Sequence, residues 1–238
     1  MTTQIYKSED RGKANFGWLD ANFSFSFGSY FNPKKVQFGV LRVLNDDTIS
    51  AGAGFGTHPH DNMEIITIPL EGGLKHRDSM GNEGVITFGE VQVMSAGTGI
   101  EHSEMNASHS EQAKTLQVWV FPEKQDVEPR YDQRSFDLQS KTNQFVTVVS
   151  PHDKKEGDSL WVYQQTYFNL GIFDEGNVSY TVKIEGNGVY LFLLEGELEV
   201  DGQKLKQRDA IGITDAQQVP IQVIAKAKIL LIEVPMKQ

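Results

Sequence analysis

Residues 52–64 read Gly-Ala-Gly-Phe-Gly-Thr-His-Pro-His-Asp-Asn-Met-Glu, and they contain the most informative spacing in the chain. His58 and His60 are two positions apart, so on a β-strand their imidazoles point to the same side. His102 and Glu104 repeat this spacing further along the chain. If the two strands meet in a small barrel, they direct three imidazoles and one carboxylate at a single point inside it.

This set of side chains suits a divalent first-row metal ion, because such ions accept imidazole nitrogen and carboxylate oxygen as ligands. Coordination positions left open for water or substrate are typical of a catalytic rather than a structural metal site. Glu64 is a second candidate carboxylate, since it follows His60 by four positions and shares its face if the strand stays regular. The alternative is a chance spacing of polar loop residues, and the second pair in a glycine-rich, β-rich context argues against it.

The composition excludes several classes of function. The chain has 238 residues, with 22 Lys and Arg against 32 Asp and Glu, which gives a formal net charge of −10 at pH 7. Binding to phosphates needs clustered cations, so we expect no direct contact with nucleic acid. The absence of cysteine excludes disulfides, thiolate metal sites and a cysteine nucleophile. Without a signal-peptide core or an apolar run of membrane-spanning length, we expect a soluble, cytoplasmic protein with no membrane association.

Short apolar runs bounded by Gly, Pro, Asn or Asp predict a β-rich fold. Residues 22–27 alternate phenylalanine with polar side chains, the period of a strand with one buried face. Long helical periodicity is absent from the sequence, so we predict an all-β fold. The other predicted strands are 36–43, 64–70, 84–88, 91–94, 115–121, 189–194, 197–200, 209–213, 221–224 and 228–234.

A weak internal repeat predicts two β domains. Leu-Glu-Gly occurs at residues 70–72 and again at 194–196, and a turn with an acidic residue follows each copy. The stretch 123–155 is richer in polar residues and proline, so we place the boundary near residues 132–135. The predicted domains are therefore 1–134 and 135–238. No histidine follows His152 in the sequence, so we expect the second domain to bind no metal.

The two histidine stretches resemble the two sequence motifs of the cupin superfamily, with Gly97 in place of the usual proline of the second motif. More closely, the chain resembles the pirin family, bicupins built from two tandem jelly-roll-like β-barrels, whose bacterial members include quercetin 2,3-dioxygenase-like enzymes. The resemblance covers most of residues 10–135, whereas the second half matches only in pattern. The matching stretches are 11–20, 23–27, 41–47, 56–64, 70–72, 76–82, 94–104 and 117–122.

The pirin resemblance implies which carboxylate binds the metal. In pirins the fourth ligand is the residue equivalent to Glu104, so Glu64 becomes a residue that orients a ligand imidazole, or a carboxylate with a purely structural hydrogen bond. His76, in another matching stretch, is a further residue that the resemblance places near the site. Iron(II) is the first choice of metal, and Mn, Ni, Cu or Zn can occupy the same ligands. The implied ligands are His58, His60, His102 and Glu104.

The resemblance also implies the reaction, a metal-dependent dioxygenation that cleaves a flavonol such as quercetin with O2. In this chemistry the metal favours the deprotonated flavonol, and Glu104 takes the proton of its hydroxyl group. The alternative is a non-enzymatic, metal-dependent regulatory protein that acts through a protein partner, since some pirins resemble regulators of this kind. A metal-using isomerase is a third hypothesis. The fold alone does not choose among these functions.

Overall fold

The computed structural model of the chain describes residues 1–237. β-strands predominate among these residues, and the helical segments within them are two turns of 3-10 helix, three residues each, at Ser8–Asp10 and Gln139–Lys141. The predicted all-β fold is therefore confirmed. Neither of these turns, the only helices in the described range, is long or apolar enough to cross a membrane.

The N-terminal domain consists of two antiparallel sheets that enclose a cavity. After β1 (Thr2–Tyr6), its strands are β2 (Gly12–Asn15), β3 (Leu19–Phe23), β4 (Leu41–Ile49), β5 (Gly54–His60), β6 (Glu64–Glu71), β7 (Gly73–Asp78), β8 (Glu83–Thr87), β9 (Glu90–Ser95), β10 (Ile100–Asn106), β11 (Ala113–Val120) and β12 (Arg130–Ser135). The seven-stranded sheet has the order β12-β9-β6-β11-β4-β3-β2. The four-stranded sheet has the order β5-β10-β7-β8, so the chain changes sheet between β4 and β5 and again between β5 and β6.

The C-terminal domain is formed by one nine-stranded sheet around an apolar interior. Its own strands are β13 (Val146–Pro151), β14 (Leu160–Val162), β15 (Tyr167–Phe173), β16 (Gly176–Thr181), β17 (Asn187–Val200), β18 (Gln203–Lys206), β19 (Ala210–Thr214) and β20 (Gln218–Pro235). The main path of the sheet is β1-β19-β17-β20-β15-β13-β14, with β16 paired to β20 and β18 to β17. The sheet therefore includes β1 from the beginning of the chain.

The strands β17 and β20 are each one continuous strand where the sequence predicted two. β17 covers the predicted strands 189–194 and 197–200, and β20 covers 221–224 and 228–234. Their pairing shifts register around Glu195 and Glu197. Gly196, between them, has a φ of 94°, and a Cβ there would collide with the carbonyl oxygen of Lys226. The glycine thus permits a bulge within the strand, although its sequence signal resembles that of a turn.

Two strand predictions in the first half need correction. The run 22–27 pairs as a strand only to Phe23, and β4 begins at Leu41 instead of residue 36. The chain bends after Phe23, where the N–H of Ser24 donates to the carbonyl of Leu44 and that of Ser26 to the carbonyl of Lys35. Ser24, Phe25 and Ser26 are all buried, so neither the alternating exposure nor the ladder of hydrogen bonds that the pattern predicted continues beyond Phe23.

The largest apolar cluster lies between the two domains. In β11, Leu116 and Val118 face this cluster, whereas Gln117 points into the N-terminal cavity. In β17, Tyr190 and Phe192 face the same cluster from the other domain. The alternate residues of β17, Val189, Leu191 and Leu193, fill the C-terminal interior. Because both faces of these strands are buried, the second domain covers an apolar face of the first and stabilises it.

The strand pairing bears on the proposed domain boundary at residue 134. β12, which ends at Ser135, pairs with β9 of the N-terminal sheet. β1 pairs with β19 of the C-terminal sheet, with Thr2 opposite Thr214. A division into 1–134 and 135–238 therefore separates β1 from the sheet it joins, and the exact boundary stays a prediction.

Candidate metal centre

Three of the predicted metal ligands form a cluster at one end of the four-stranded sheet. His58 and His60 share a face of β5, and His102 on β10 lies directly opposite His58. The centroids of the three imidazole rings are 4.5 to 4.9 Å apart. One ring nitrogen from each lies within 4.8 Å of the others. The period of two along each strand and the register between the strands together produce the cluster.

The chemical state of these imidazoles fits a bound metal ion. His102 is 2% exposed, and neither of its ring nitrogens has a hydrogen-bond partner among the described residues. A buried polar atom without a partner is unfavourable unless a ligand completes it. The Nδ1 atom of His58 lies 2.8 Å from the carbonyl oxygen of Gly56, which orients the ring and leaves Nε2 free.

The protonation of the cluster also favours a metal. Burial, followed by the neighbouring His58, lowers the pKa of His60 to about 4. The same two causes, with a contribution from His60, lower the pKa of His102 to about 3. Both imidazoles are therefore neutral at physiological pH, which is the form that binds metal ions.

Glu104 is buried beside this cluster and links the two sheets. A register shift separates it from His102 on β10. Its Oε2 accepts a hydrogen bond from Nε2 of Gln117 at 2.7 Å, and its Oε1 accepts one from Oγ1 of Thr67 at 3.3 Å. Burial raises the pKa of Glu104. Its carboxylate lines the same cavity as His58 and His60 but is not among the mutually close ligand atoms, so its role as fourth ligand stays a proposal.

Glu64 does not lie on the face of the histidine pair, contrary to the assumption of one regular strand. The chain leaves β5 after His60 and enters β6 in the other sheet. On β6, Glu64 shares a face with Ile66, which packs into the interdomain cluster. Its Oε2 accepts a hydrogen bond of 2.7 Å from Oγ of Ser95. The structure gives it no hydrogen bond to a clustered histidine within the described range. The predicted role in orienting an imidazole is thus not supported.

Burial gives the carboxyl group of Glu64 an unusually high pKa. It is 1% exposed, and burial raises its pKa to about 7 against the opposing effects of Ser95, the backbone of Tyr163 and the charge of Arg130. Since Tyr163 lies beyond the N-terminal domain, this carboxyl group belongs to the junction between the domains.

His76 lies beside the cluster, next to two of the predicted ligands. It is fully buried on β7, opposite Glu104, and its ring centroid is 5.3 Å from that of His102. Its Nε2 lies 3.1 Å from Oδ2 of Asp78, and its ring stacks on Tyr131 at 4.6 Å. These contacts hold the imidazole of His76 in one orientation against the face of the sheet that carries the ligands.

A cavity of about 300 Å³ opens beside the histidines, between the two sheets. Its walls are largely aromatic, and the indole of Trp119 packs edge-on against His60 with ring centroids 4.9 Å apart. The other aromatic side chains that line it are Phe16, Phe23, Phe27 and Phe55.

The wall opposite the histidines is polar, and sequence analysis did not predict it. Asn45 and Asp47 on β4 and Gln117 on β11 face the cavity from the seven-stranded sheet. Burial, followed by the charges of Asp46, Glu104 and Asp20, raises the pKa of Asp47 to about 8. Asn45 and Asp47 are two positions apart on β4, and this spacing, which places both side chains on one face, is the sequence signal for this wall.

Comparison with known proteins gives matches over both domains. The family model described as Pirin matches residues 6–120, and the model described as the quercetinase C-terminal cupin domain matches residues 147–234. A protein of Escherichia coli K12 named quercetin 2,3-dioxygenase is 43% identical over 234 residues, which cover 97% of this chain and 98% of that protein. A pirin-like protein of Caulobacter vibrioides is 35% identical and covers 93% of this chain and 95% of its own.

Solved structures agree with these matches. The crystal structure of YhhW from Escherichia coli superimposes with a TM-score of 0.93 and 38% identity, covering all of both chains. A structure described as bacterial pirin YhhW in complex with nickel(II) gives a TM-score of 0.92 and 37% identity, over 98% of this chain and 99% of that one. The similarity therefore includes the whole two-domain architecture.

Proposed function

Because the chain belongs to the pirin family of bicupins, we propose that it is a metal-dependent dioxygenase that cleaves a flavonol such as quercetin with O2. The observation that supports this proposal most strongly is the cluster of three imidazoles beside an aromatic cavity. The name of the Escherichia coli relative, quercetin 2,3-dioxygenase, agrees with it.

The proposed metal site consists of three histidines and one carboxylate. Iron(II) is our first choice from the ligand type and the chemistry of O2, and Mn, Ni, Cu or Zn accept the same donors. The nickel(II) complex of a relative agrees with a first-row metal. When bound, the ion supplies Lewis acidity that favours a deprotonated flavonol hydroxyl group. The proposed ligands are His58, His60, His102 and Glu104.

The cavity suits a planar aromatic substrate. Its volume of about 300 Å³ lies at the lower end of the range for small-molecule sites. Phe23, Phe27 and Trp119 offer apolar contacts to a flat ring system and exclude water from it. The imidazoles then face the end of the ligand that carries the chelating hydroxyl group.

We assign proton transfer to Glu104. Its raised pKa, caused by burial, makes the carboxylate a stronger base than an exposed glutamate. The hydrogen bonds from Gln117 and Thr67 fix the orientation of the carboxylate from the opposite sheet. Glu104 therefore receives the flavonol proton without having to move from its position in the wall.

The test is turnover of quercetin in air by protein that has been stripped of metal and reconstituted with each first-row metal in turn. We expect loss of quercetin absorbance and release of carbon monoxide with at least one metal, and neither in the matched His60→Ala variant. If no metal supports turnover by the wild-type protein, the dioxygenase proposal fails. The regulatory alternative, a metal-dependent protein acting through a protein partner, would then move ahead.

A further inference from the structure

Two side chains on β4 point into the cavity with oxygen atoms that nothing in the described structure satisfies. Asn45 is 3% exposed and Asp47 is 4% exposed. The Oδ1 atom of each is buried without a hydrogen-bond partner among residues 1–237. Both side chains line the cavity, together with His58 and Glu104. Buried polar atoms are nearly always paired, so these two oxygens indicate a missing partner.

The neighbouring residues of β4 show that Asn45 and Asp47 are not part of the internal scaffold. Leu44 packs into the interdomain cluster. Asp46 forms ion pairs with Arg11 at 3.3 Å and with Arg208 at 2.9 Å. Asp47, one residue later, has no cation within ion-pair distance in the part of the chain that the structure describes. On this strand the carboxylate of Asp46 therefore has two cationic partners, whereas that of Asp47, which faces the cavity, is available to a ligand.

A hydroxyl group is the ligand group that fits these two oxygens. It can donate to the amide oxygen of Asn45, and it can either donate to or accept from the carboxyl group of Asp47. An anionic group fits poorly, because the described residues that line the cavity include no lysine or arginine to pair with it. The remaining walls are aromatic, so the hydroxyl group must be carried by an apolar ring.

We propose that Asn45 and Asp47 bind a hydroxyl group of the substrate at the wall opposite the histidines. The substrate class is then a neutral aromatic compound that carries at least one hydroxyl group besides its chelating one. The inference rests on the proposed function in one respect, because the proposed function places the aromatic ligand in this cavity. Asn45 and Asp47 act here as specificity-determining residues, because an analogue without the second hydroxyl group leaves their oxygens unpaired.

The test compares quercetin with 3-hydroxyflavone, which keeps the chelating hydroxyl group and lacks the others. Binding of each ligand is measured by calorimetry under nitrogen, which prevents turnover, for the wild-type protein and for Asp47→Ala. We expect the affinity ratio of quercetin to 3-hydroxyflavone to fall by about tenfold in the variant, through weaker binding of quercetin. Taking the ratio cancels differences in solvation between the two ligands. Asp20→Asn removes an exposed nearby charge that does not line the cavity, and it should keep the wild-type ratio.

Three results would overturn the proposal: an unchanged ratio in Asp47→Ala, an equal fall in Asp20→Asn, or no binding of quercetin by the wild-type protein. Circular dichroism verifies the fold of each variant, and Asn45→Ala takes over the comparison if Asp47→Ala is unfolded. The dioxygenase proposal is judged separately by turnover in air. Hydroxyl-dependent binding without turnover would reject the dioxygenase and retain the hydroxyl site.

Discussion

His102 lies directly opposite His58 in the antiparallel pairing of β10 with β5, and their imidazole centroids are 4.5 Å apart. Two residues later the pairing has shifted, so Glu104 lies opposite Phe55 on β5 and opposite His76 on β7. The histidines therefore face one another across a regular part of the ladder, whereas Glu104 lies beyond the irregularity, nearer to Gln117. Because of this difference, we expect replacing a histidine and replacing Glu104 to have different effects.

We expect His60→Ala to lose the metal and keep the fold. The apolar clusters between the domains and inside the second domain do not include the histidines, so they should maintain the structure without the ion. Metal content and thermal melting are the measurements, with the melting temperature within about 5 °C of the wild-type apoprotein. His109→Ala, at an exposed position, is the control and should retain one metal ion per chain. Global unfolding of His60→Ala would mean that the ion is structural.

Glu104→Gln should lower turnover by roughly 10²- to 10⁴-fold, the loss typical of removing a general base. The substitution keeps the size of the side chain and an oxygen acceptor for Gln117, and three imidazoles remain to hold part of the metal. The measurement is turnover of quercetin per bound metal ion. His76→Ala serves as the comparison, with a smaller expected loss because His76 is fully buried and does not line the cavity. A fully active Glu104→Gln protein with metal bound would reject Glu104 as the base.

Glu64 should make the stability of the protein depend on pH. Its folded-state pKa of about 7 is above the ordinary value of 4.5, so the folded protein holds this proton more tightly than the unfolded chain does. Its stabilising contribution is complete below pH 4.5 and is lost as the pH rises through 7. We therefore expect the difference in the free energy of unfolding between wild type and Glu64→Gln, measured with urea, to fall by about 3 kcal/mol between pH 4.5 and pH 8. A difference between wild type and Glu64→Gln that stays constant between pH 4.5 and pH 8 would contradict the assignment.

Phe192→Ala should destabilise both domains at once. Phe192 is fully buried in the interdomain cluster, and truncation of a buried phenylalanine costs about 3–5 kcal/mol. Because this cluster joins the two domains, we expect one cooperative urea transition at a lower midpoint, with tryptophan fluorescence and circular dichroism coinciding. Two separated transitions would show that the domains are stabilised independently. Phe31→Ala, at a side chain that is 74% exposed, should change the free energy of unfolding by less than about 0.5 kcal/mol.

Local sequence patterns predicted those structural features that depend only on residues close together in the chain. The spacing of His58 and His60 was enough to place both imidazoles on one face, because the strand is regular between them. The same argument failed for Glu64, since the chain changes sheet over residues 61–63 and Asn62 adopts a φ of 43° there. The continuous strand β17 was missed for a related reason, because Gly196 forms a bulge and has the sequence signal of a turn.

The polar wall of the cavity depends on contacts between distant strands. Gln117 meets Glu104 only because β11 and β10 belong to opposing sheets, and the sequence contains no periodicity that pairs them. Asn45 and Asp47 share one face of β4, but they lie beyond the predicted strand 36–43, and it is the opposing sheet that makes this face a wall of the cavity. The clustering of His58, His60 and His102 was thus predictable from spacing, whereas the polar wall opposite them required the tertiary structure.

The pairing of β1 with β19 has a consequence for synthesis on the ribosome. Thr2 finds its partner only when Thr214 has been made, and Tyr6 only when Ala210 has been made. A nascent chain therefore carries an unpaired edge strand through most of translation, while the histidine strands, which pair within residues 54–106, can already close. The histidine cluster can form early, and the sheet that contains β1 is completed among the last steps of folding.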